Sequence, residues 1–303
     1  VLQLLKYSEI NKKKWDACVQ KTSGPSIYAM SWYLDVVHPQ WNAVIYGDYL
    51  AVMPITNKKK YSLSYVITPA FTQQLGVLGD NKLITNELIN QFINFIKPYF
   101  LQIIFNFNES NIFVHKNTIE CPNYCLNLKA NYLIIKENYS ENTLRNIKKA
   151  NKNKLDFEIS QQYEVTLAFL NFYSENLPKS AKNINQNILK KLVIKANENH
   201  SIFFGVLKFE NIICAMGAFL VSENRIIFLA GTSNEVGKGK GAMHFLFDKI
   251  IASFAGKPLI LDFEGGKGEG MRKFYAGFGS ESKPYLQLNC KNYWSVLNLF
   301  KKL

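Results

Sequence analysis

Apolar residues recur at helical spacing in two places, and the segments around them share one order of parts. Between Thr85 and Ile96, the residues Leu88, Ile89, Phe92, Ile93 and Ile96 fall on one face of a 3.6-residue period. Lys97-Pro98 stops that helix, since proline brings no N–H and crowds the preceding turn. Phe100–Phe107 then reads as a strand running into Phe-Asn-Phe-Asn-Glu. In the second half, Ala242–Phe254 places Phe245, Leu246, Lys249, Ile250 and Phe254 at the same spacing. Gly256-Lys257-Pro258 ends it, and Leu259–Glu264 reads as a strand closing on Leu-Asp-Phe-Glu. The repetition suggests two copies of one α/β unit.

Between the halves, Ser140–Leu155 predicts a helix with Ser140 as its cap and Glu141 at its positive end. Leu144, Ile147 and Ala150 mark one face of it, and Arg145, Lys148, Lys149 and Lys152 mark another. Two readings of the basic face stand: a solvated surface, or a contact for a phosphate-rich ligand. Helices at Val165–Asn176 and Ile184–Glu198 follow, then strands at Ile202–Lys208, Ile212–Val221 and Arg225–Ala230. Helices mixed with adjacent strands indicate an α/β or α+β fold. The division expected is a first domain over residues 1–135 and a second over 136–289. The last helical pattern, Tyr293–Lys301 within residues 290–303, is expected to pack back across the first domain.

A length of 303 residues accommodates two domains, and 48% hydrophobic with 19% charged residues is a soluble globular profile. Phe92–Phe107 is interrupted by Lys97, Pro98, Gln102 and Asn106, so it does not supply the roughly 20 apolar residues of a membrane span. Val1–Lys6 is too short for a signal-peptide core, and the expectation is a cytoplasmic protein. Five scattered cysteines read as free thiols; Cys121 and Cys125, with only His115 nearby, do not make a zinc set, and no metal is expected. The net charge of +13 rests on lysine, with only Arg145, Arg225 and Arg272 as arginines. That is diffuse attraction to anions, and it suits coenzyme A and tRNA equally.

The clearest chemistry follows strand Arg225–Ala230. There Gly231-Thr-Ser-Asn-Glu-Val-Gly237-Lys238-Gly239-Lys240-Gly241 leads to a helix expected to begin at Ala242. Alternating glycines before a helix N-terminus let backbone N–H groups approach an anion, and Lys238 and Lys240 add charge. The spacing fits neither a Walker loop nor a dinucleotide fingerprint. It fits the pattern of GNAT N-acetyltransferases, in which this turn holds the pyrophosphate of an acyl-coenzyme A. Residues 237–242 are thus candidate donor contacts, against the alternative of a flexible surface loop. The matching stretch of the first half, Gly76-Val-Leu-Gly79-Asp80-Asn81, has fewer glycines and an acid, so only the second half is expected to bind donor.

Leu261-Asp-Phe-Glu-Gly-Gly266, then Phe274-Tyr275-Ala276-Gly277-Phe278-Gly279, together with Arg145-Asn-Ile-Lys-Lys-Ala150, resemble the Fem-type peptidoglycan aminoacyltransferases and their FemAB-like relatives. The resemblance implies two tandem GNAT domains, each a mixed, mostly antiparallel sheet flanked by helices. It also implies an acyl donor in the second domain and an amine acceptor in a cleft between domains. Pro69-Ala-Phe-Thr-Gln-Gln-Leu-Gly76 is similar to the segment by which the relatives wall that cleft, which nominates Phe71, Gln73 and Gln74. The coiled-coil insertion frequent in peptidoglycan members is absent, and the lysine of the family's Phe-Lys-x-x-Phe-Gly is Tyr275. A tyrosine here is expected to serve a thioester donor by protonating the departing thiolate; the alternative is a core aromatic.

Amine acylation needs a base. Asp262 and Glu264 are expected on one face of their strand by period two, at its C-terminal end, where α/β folds hold ligands. Glu264 is the preferred base, and Asp262 alternatively bonds the backbone. His244 reads as structural. The function expected is acyl transfer from acyl-coenzyme A to an amine, with two alternatives: a Fem-type aminoacyl-tRNA-dependent transferase, or a non-catalytic GNAT-fold binding protein.

Overall fold

The computed structural model describes residues 1–60, 63–177, 185–266 and 268–292, which fall into two compact units. Tyr293–Lys301, the expected C-terminal helix, lies outside the described residues.

Unit 1 is Val1–Cys121 with the chain from Pro284 on. Its first sheet joins β1 (Leu2–Leu5), β2 (Asn42–Tyr46), β3 (Ala51–Ile55) and the short β6 (Leu78–Gly79), all antiparallel. Its second sheet runs β4 (Asn57–Lys60), β5 (Leu63–Ile67), β7 (Gln102–Asn106), β16 (Tyr285–Lys291), β8 (Thr118–Cys121), with β5 and β7 parallel. Helices α1 (Lys12–Val19), α2 (Ser31–Val37) and α3 (Asn86–Ile96) accompany these sheets. In α3 the expected apolar face is the buried one, and the Thr85 side chain caps its first turn by accepting from the Leu88 N–H. Trp15 and Trp41, both fully buried and 4.6 Å apart between ring centres, sit in the core of this unit.

Unit 2 is Pro122–Lys283. One seven-stranded sheet carries it, in the order β10 (Asp156–Ser160), β11 (Ile202–Phe209), β12 (Ile212–Ser222), β13 (Arg225–Ser233), β14 (Ile260–Asp262), β9 (Tyr124–Asn127), β15 (Glu281–Ser282). Only β13 and β14 run parallel. The division falls before β9 rather than near residue 136, because β9 pairs with β14 and β15.

Helices of this unit are α4 (Tyr132–Glu137), α5 (Glu141–Lys152), α6 (Tyr163–Glu175), α7 (Gln186–Glu198), α8 (Glu235–Lys240), α9 (Ala242–Phe254) and α10 (Glu269–Ala276). Phe203 of β11 packs on Phe254 of α9, while its neighbour Phe204 packs on Phe169 of α6. Successive strand residues point to opposite faces, so helices cover both sides of the sheet. That is why β11 and β12 read as nearly unbroken apolar runs. Among the described residues no helix is long and apolar enough to cross a membrane.

Candidate acyl-transfer site in the second unit

The parallel pair is short. Arg225, Ile226 and Ile227 of β13 register with Ile260, Leu261 and Asp262 of β14, and there the pairing stops. β13 continues to Ser233, so its edge from Phe228 onward receives no backbone partner from β14. A bulge at the same level shifts the β12–β13 register between Ala218/Ala230 and Phe219/Phe228. Bulges recur beside active sites because they re-aim side chains and backbone. A gap beyond the C-terminal end of parallel strands is where α/β sheets take ligands.

The glycine segment differs from its expectation. Helix α8 occupies Glu235–Lys240, so Gly237 and Gly239 are wound into a turn instead of forming an extended cradle. Asn234 is the reason: its side chain accepts the Gly237 N–H at 2.9 Å and its carbonyl accepts the Lys238 N–H, also at 2.9 Å. A Cβ at Gly237 would lie 2.2 Å from the Cys214 carbonyl oxygen, and one at Gly241, at φ +74°, 2.7 Å from the Asn146 carbonyl oxygen. These two glycines let α8 approach β12 and let the α8–α9 junction approach α5. Gly239 alone faces open space. Lys238 pairs with Glu235 at 2.6 Å, and Lys240 donates to Asn153 at 2.7 Å while lying over the Phe209 ring. Ala242 is fully buried. Of residues 237–242, Gly237, Gly241 and Ala242 are thus packed against the protein itself, while Gly239 is open and both lysine heads are engaged by neighbouring side chains. The exposed stripe Arg145, Lys148, Lys149 and Lys152 of α5 extends that cationic surface, because α5 touches the Gly241 junction at Asn146.

Asp262 is a buried ion-pair partner. Its Oδ2 accepts from Nη1 of Arg225 at 2.6 Å, with side chains 0% and 1% exposed respectively. Its Oδ1 accepts the backbone N–H of Glu264 at 3.0 Å. The expectation that Asp262 and Glu264 share a strand face does not hold. β14 ends at Asp262, and Glu264 sits at φ +57° in a left-handed turn, costing roughly 1–2 kcal/mol for a residue with a Cβ. The Asn123 side chain accepts the Gly265 N–H at 3.1 Å and Tyr124 O accepts the Phe263 N–H at 3.0 Å, so the turn is fastened on both sides of Glu264.

Tyr275 of α10 lies against Phe263 at 5.0 Å and near Tyr124 at 6.4 Å between ring centres. Burial, and then the negative charges of Glu264 and Asp262, push its phenol well above the ordinary tyrosine range. The Tyr275 ring thus packs beside the Asp262–Glu264 segment through Phe263, and it is itself buried in the core of the unit. Half-buried His244 rests edge-on against Phe274 at 4.7 Å, and partial burial lowers its pKa to about 4, which keeps it neutral. Arg225, Asn123 and Tyr124 were not singled out in the sequence. One arginine at the head of an apolar strand and one aspartate at the end of another were the signal, since buried charges need partners.

In unit 1 the corresponding gap is filled by the chain itself. Beyond β5 and β7, Leu75 makes a parallel bridge to Phe107, its N–H donates to Asn106 O at 3.1 Å, and Asn108 Nδ2 donates to Leu75 O at 3.0 Å. Gln74, expected to wall a cleft, is fully buried: its Oε1 accepts the Glu109 N–H at 2.8 Å and its Nε2 donates to Gln73 at 2.8 Å. Phe71 is half-buried at φ +59° with its carbonyl accepting from Tyr33 Oη, and Gln73 O accepts from Asn106 Nδ2 at 2.7 Å. Among the described residues no group of three His, Cys, Asp or Glu side chains is placed to hold a metal ion.

No family model matches the sequence, and a comparison with curated proteins gives no match. Solved structures do match. FemX is similar at a TM-score of 0.67 and 11% identity, covering 98% of this chain and 99% of that one. L-PGS from Bacillus licheniformis is similar at 0.56 and 14%, covering 94% and 92%. A tandem GNAT protein from the clavulanic acid biosynthesis pathway is similar at 0.56 and 8%, covering 96% and 98%. At such identities the likeness is one of architecture, and this chain carries the Fem-like, tandem GNAT fold.

Proposed function

We propose that the chain is an N-acyltransferase that moves an acyl group from an acyl-coenzyme A thioester to an amine, with the chemistry in unit 2. The observation that carries this reading is the left-handed Glu264 turn, fastened by Asp262 and Asn123 where β13 and β14 part, with the Tyr275 ring packed on the neighbouring Phe263. Glu264 takes the amine proton as the C–N bond forms. Tyr275 keeps its own proton, because its raised pKa lies far above that of a thiol. It therefore acts as a hydrogen-bond donor to the sulfur that leaves with the electron pair of the broken C–S bond, instead of surrendering its proton outright. The unpaired edge of β13 supplies backbone N–H groups toward the carbonyl. The acceptor is a small-molecule or peptide amine.

A second reading has its own support. Winding of Gly237 and Gly239 into α8 leaves little cradle for a pyrophosphate, while Arg145 to Lys152 spans about 10 Å of helix, at 1.5 Å per residue. That length suits a polyanion better than one phosphate pair, and favours an aminoacyl-tRNA donor. Labelled acyl-coenzyme A and labelled aminoacyl-tRNA, offered side by side with a pool of amines, decide the matter. The proposal expects label to move from the thioester and Tyr275→Phe to slow it. Transfer from tRNA alone makes the second reading correct. Donor binding with no transfer from either, across the amine pool, supports the non-catalytic alternative.

A further inference from the structure

The Glu264 turn is held by a charge pair drawn from both parallel strands. Arg225 opens β13, Asp262 closes β14, and the two are joined at 2.6 Å where water does not reach them. Arg225 Nη1 also reaches Cys125 Sγ of β9 at 3.6 Å, so its guanidinium spans three neighbouring strands. An arginine in this position fixes the direction of the Asp262 carboxylate, since one oxygen is claimed by the guanidinium and the other is turned toward the next residues. That second oxygen receives the Glu264 N–H at 3.0 Å, and Glu264 adopts a backbone conformation that residues with a Cβ seldom take. Other non-glycine residues of the chain share this conformation, but Glu264 adopts it at the open end of a parallel pair and is bonded there by a buried carboxylate, an arrangement in which the surrounding scaffold over-determines the backbone.

We infer that Arg225 and Asp262 are positioning residues that set Glu264 beside Tyr275. The pair is not in contact with the reacting groups; it works through the backbone of Glu264. This inference rests on the reading of Glu264 as the base. It differs from a purely structural role for the ion pair in one respect. The essential feature is the acceptor at Asp262 Oδ1, not the charge, so an uncharged pair that keeps the acceptor preserves the device.

Two double variants separate these roles without stranding a buried charge. Arg225→Met with Asp262→Leu removes both the pair and the acceptor, and apolar replacement of a whole buried pair commonly leaves stability intact. Arg225→Met with Asp262→Asn removes the charge and retains a side-chain oxygen at the same place. Thermal unfolding first establishes that both variants are folded. Amide hydrogen exchange at Glu264 is expected to quicken about tenfold or more in the Met/Leu variant, the loss of one hydrogen bond's protection, and to stay near wild type in the Met/Asn variant. Turnover with saturating donor is expected to fall ~10²-fold in Met/Leu, the usual cost of a misplaced reacting group, with KM for the donor unchanged, and to recover largely in Met/Asn. Unchanged exchange at Glu264 in folded Met/Leu protein overturns the inference, as does equal loss of turnover in both variants. Glu264→Gln is run in parallel. If it leaves turnover intact, the reading of Glu264 as base fails, while the exchange measurement still decides whether the pair holds the turn.

Discussion

Strand, helix and parallel strand occur in the same order in both units, as β5–α3–β7 and as β13–α9–β14, yet the space beyond the paired residues is treated oppositely. In unit 1 the chain from Phe71 to Gly76 runs into that space and is tied there by Asn106, Asn108 and the buried Gln74. In unit 2 the two strands part after Ile227 and Asp262, and Glu264 is held at the opening. On the proposed reading, the difference teaches that one repeated unit serves as scaffold or as site according to whether the gap is occupied by its own backbone. Polar side chains fasten main chain in both: Asn106, Asn108 and Gln74 in unit 1, Asp262 and Asn123 in unit 2.

The comparison is most easily broken at Asp262. Asp262→Asn alone leaves Arg225 buried with a neutral partner, and unfolding in urea should show a loss of about 3–5 kcal/mol. A loss below 1 kcal/mol would mean that the pair is not the anchor of the second gap. His244 sharpens the comparison through pH. Its folded pKa of about 4 lies below the unfolded value near 6.5, so its contribution is complete above pH 6.5 and is lost as pH falls toward 4. His244→Phe should flatten the stability profile of the protein between those pH values, which calorimetry at stepped pH measures.

Smaller effects follow in unit 1 and in α8. Gln74→Ala strands the Glu109 N–H and should cost about 1–3 kcal/mol by denaturant unfolding, with the kinetics of any acyl transfer unchanged. A drop in turnover would place Gln74 in the site after all. Gly239→Ala fills open space on a helix and should stabilise by about 0.5–1 kcal/mol, whereas Gly237→Ala meets the Cys214 carbonyl and should destabilise. If Gly239→Ala also weakens donor affinity, measured by titration calorimetry, Gly239 is a donor contact as the glycine pattern suggested.

Much of the scaffold was legible in the sequence because it depends on local periodicity. The apolar stripes of α3 and α9, their proline stops and the strands that follow appear where the pattern put them. The resemblance around residues 261–279 likewise led to a tandem arrangement that solved structures share. What the sequence did not disclose depends on partners distant along the chain. Gly237 and Gly241 read as ligand-binding glycines, and the Cys214 and Asn146 carbonyls that crowd them give each a packing role that no local pattern announces. Period two put Glu264 on a strand face, but the bond from Asp262 Oδ1 ends the strand and reverses the backbone. Asp262 itself read as a candidate base until Arg225, 37 residues earlier, took its other oxygen.

The central claim, that the second gap and not the first receives the acyl donor, is tested most directly by hydrogen–deuterium exchange with and without a non-hydrolysable acyl-coenzyme A analogue. The account predicts slowed exchange along Phe228–Ser233 and Phe263–Gly266, with no change across Thr68–Leu75 and Asn106–Glu109. Protection confined to the unit 1 segments would contradict it.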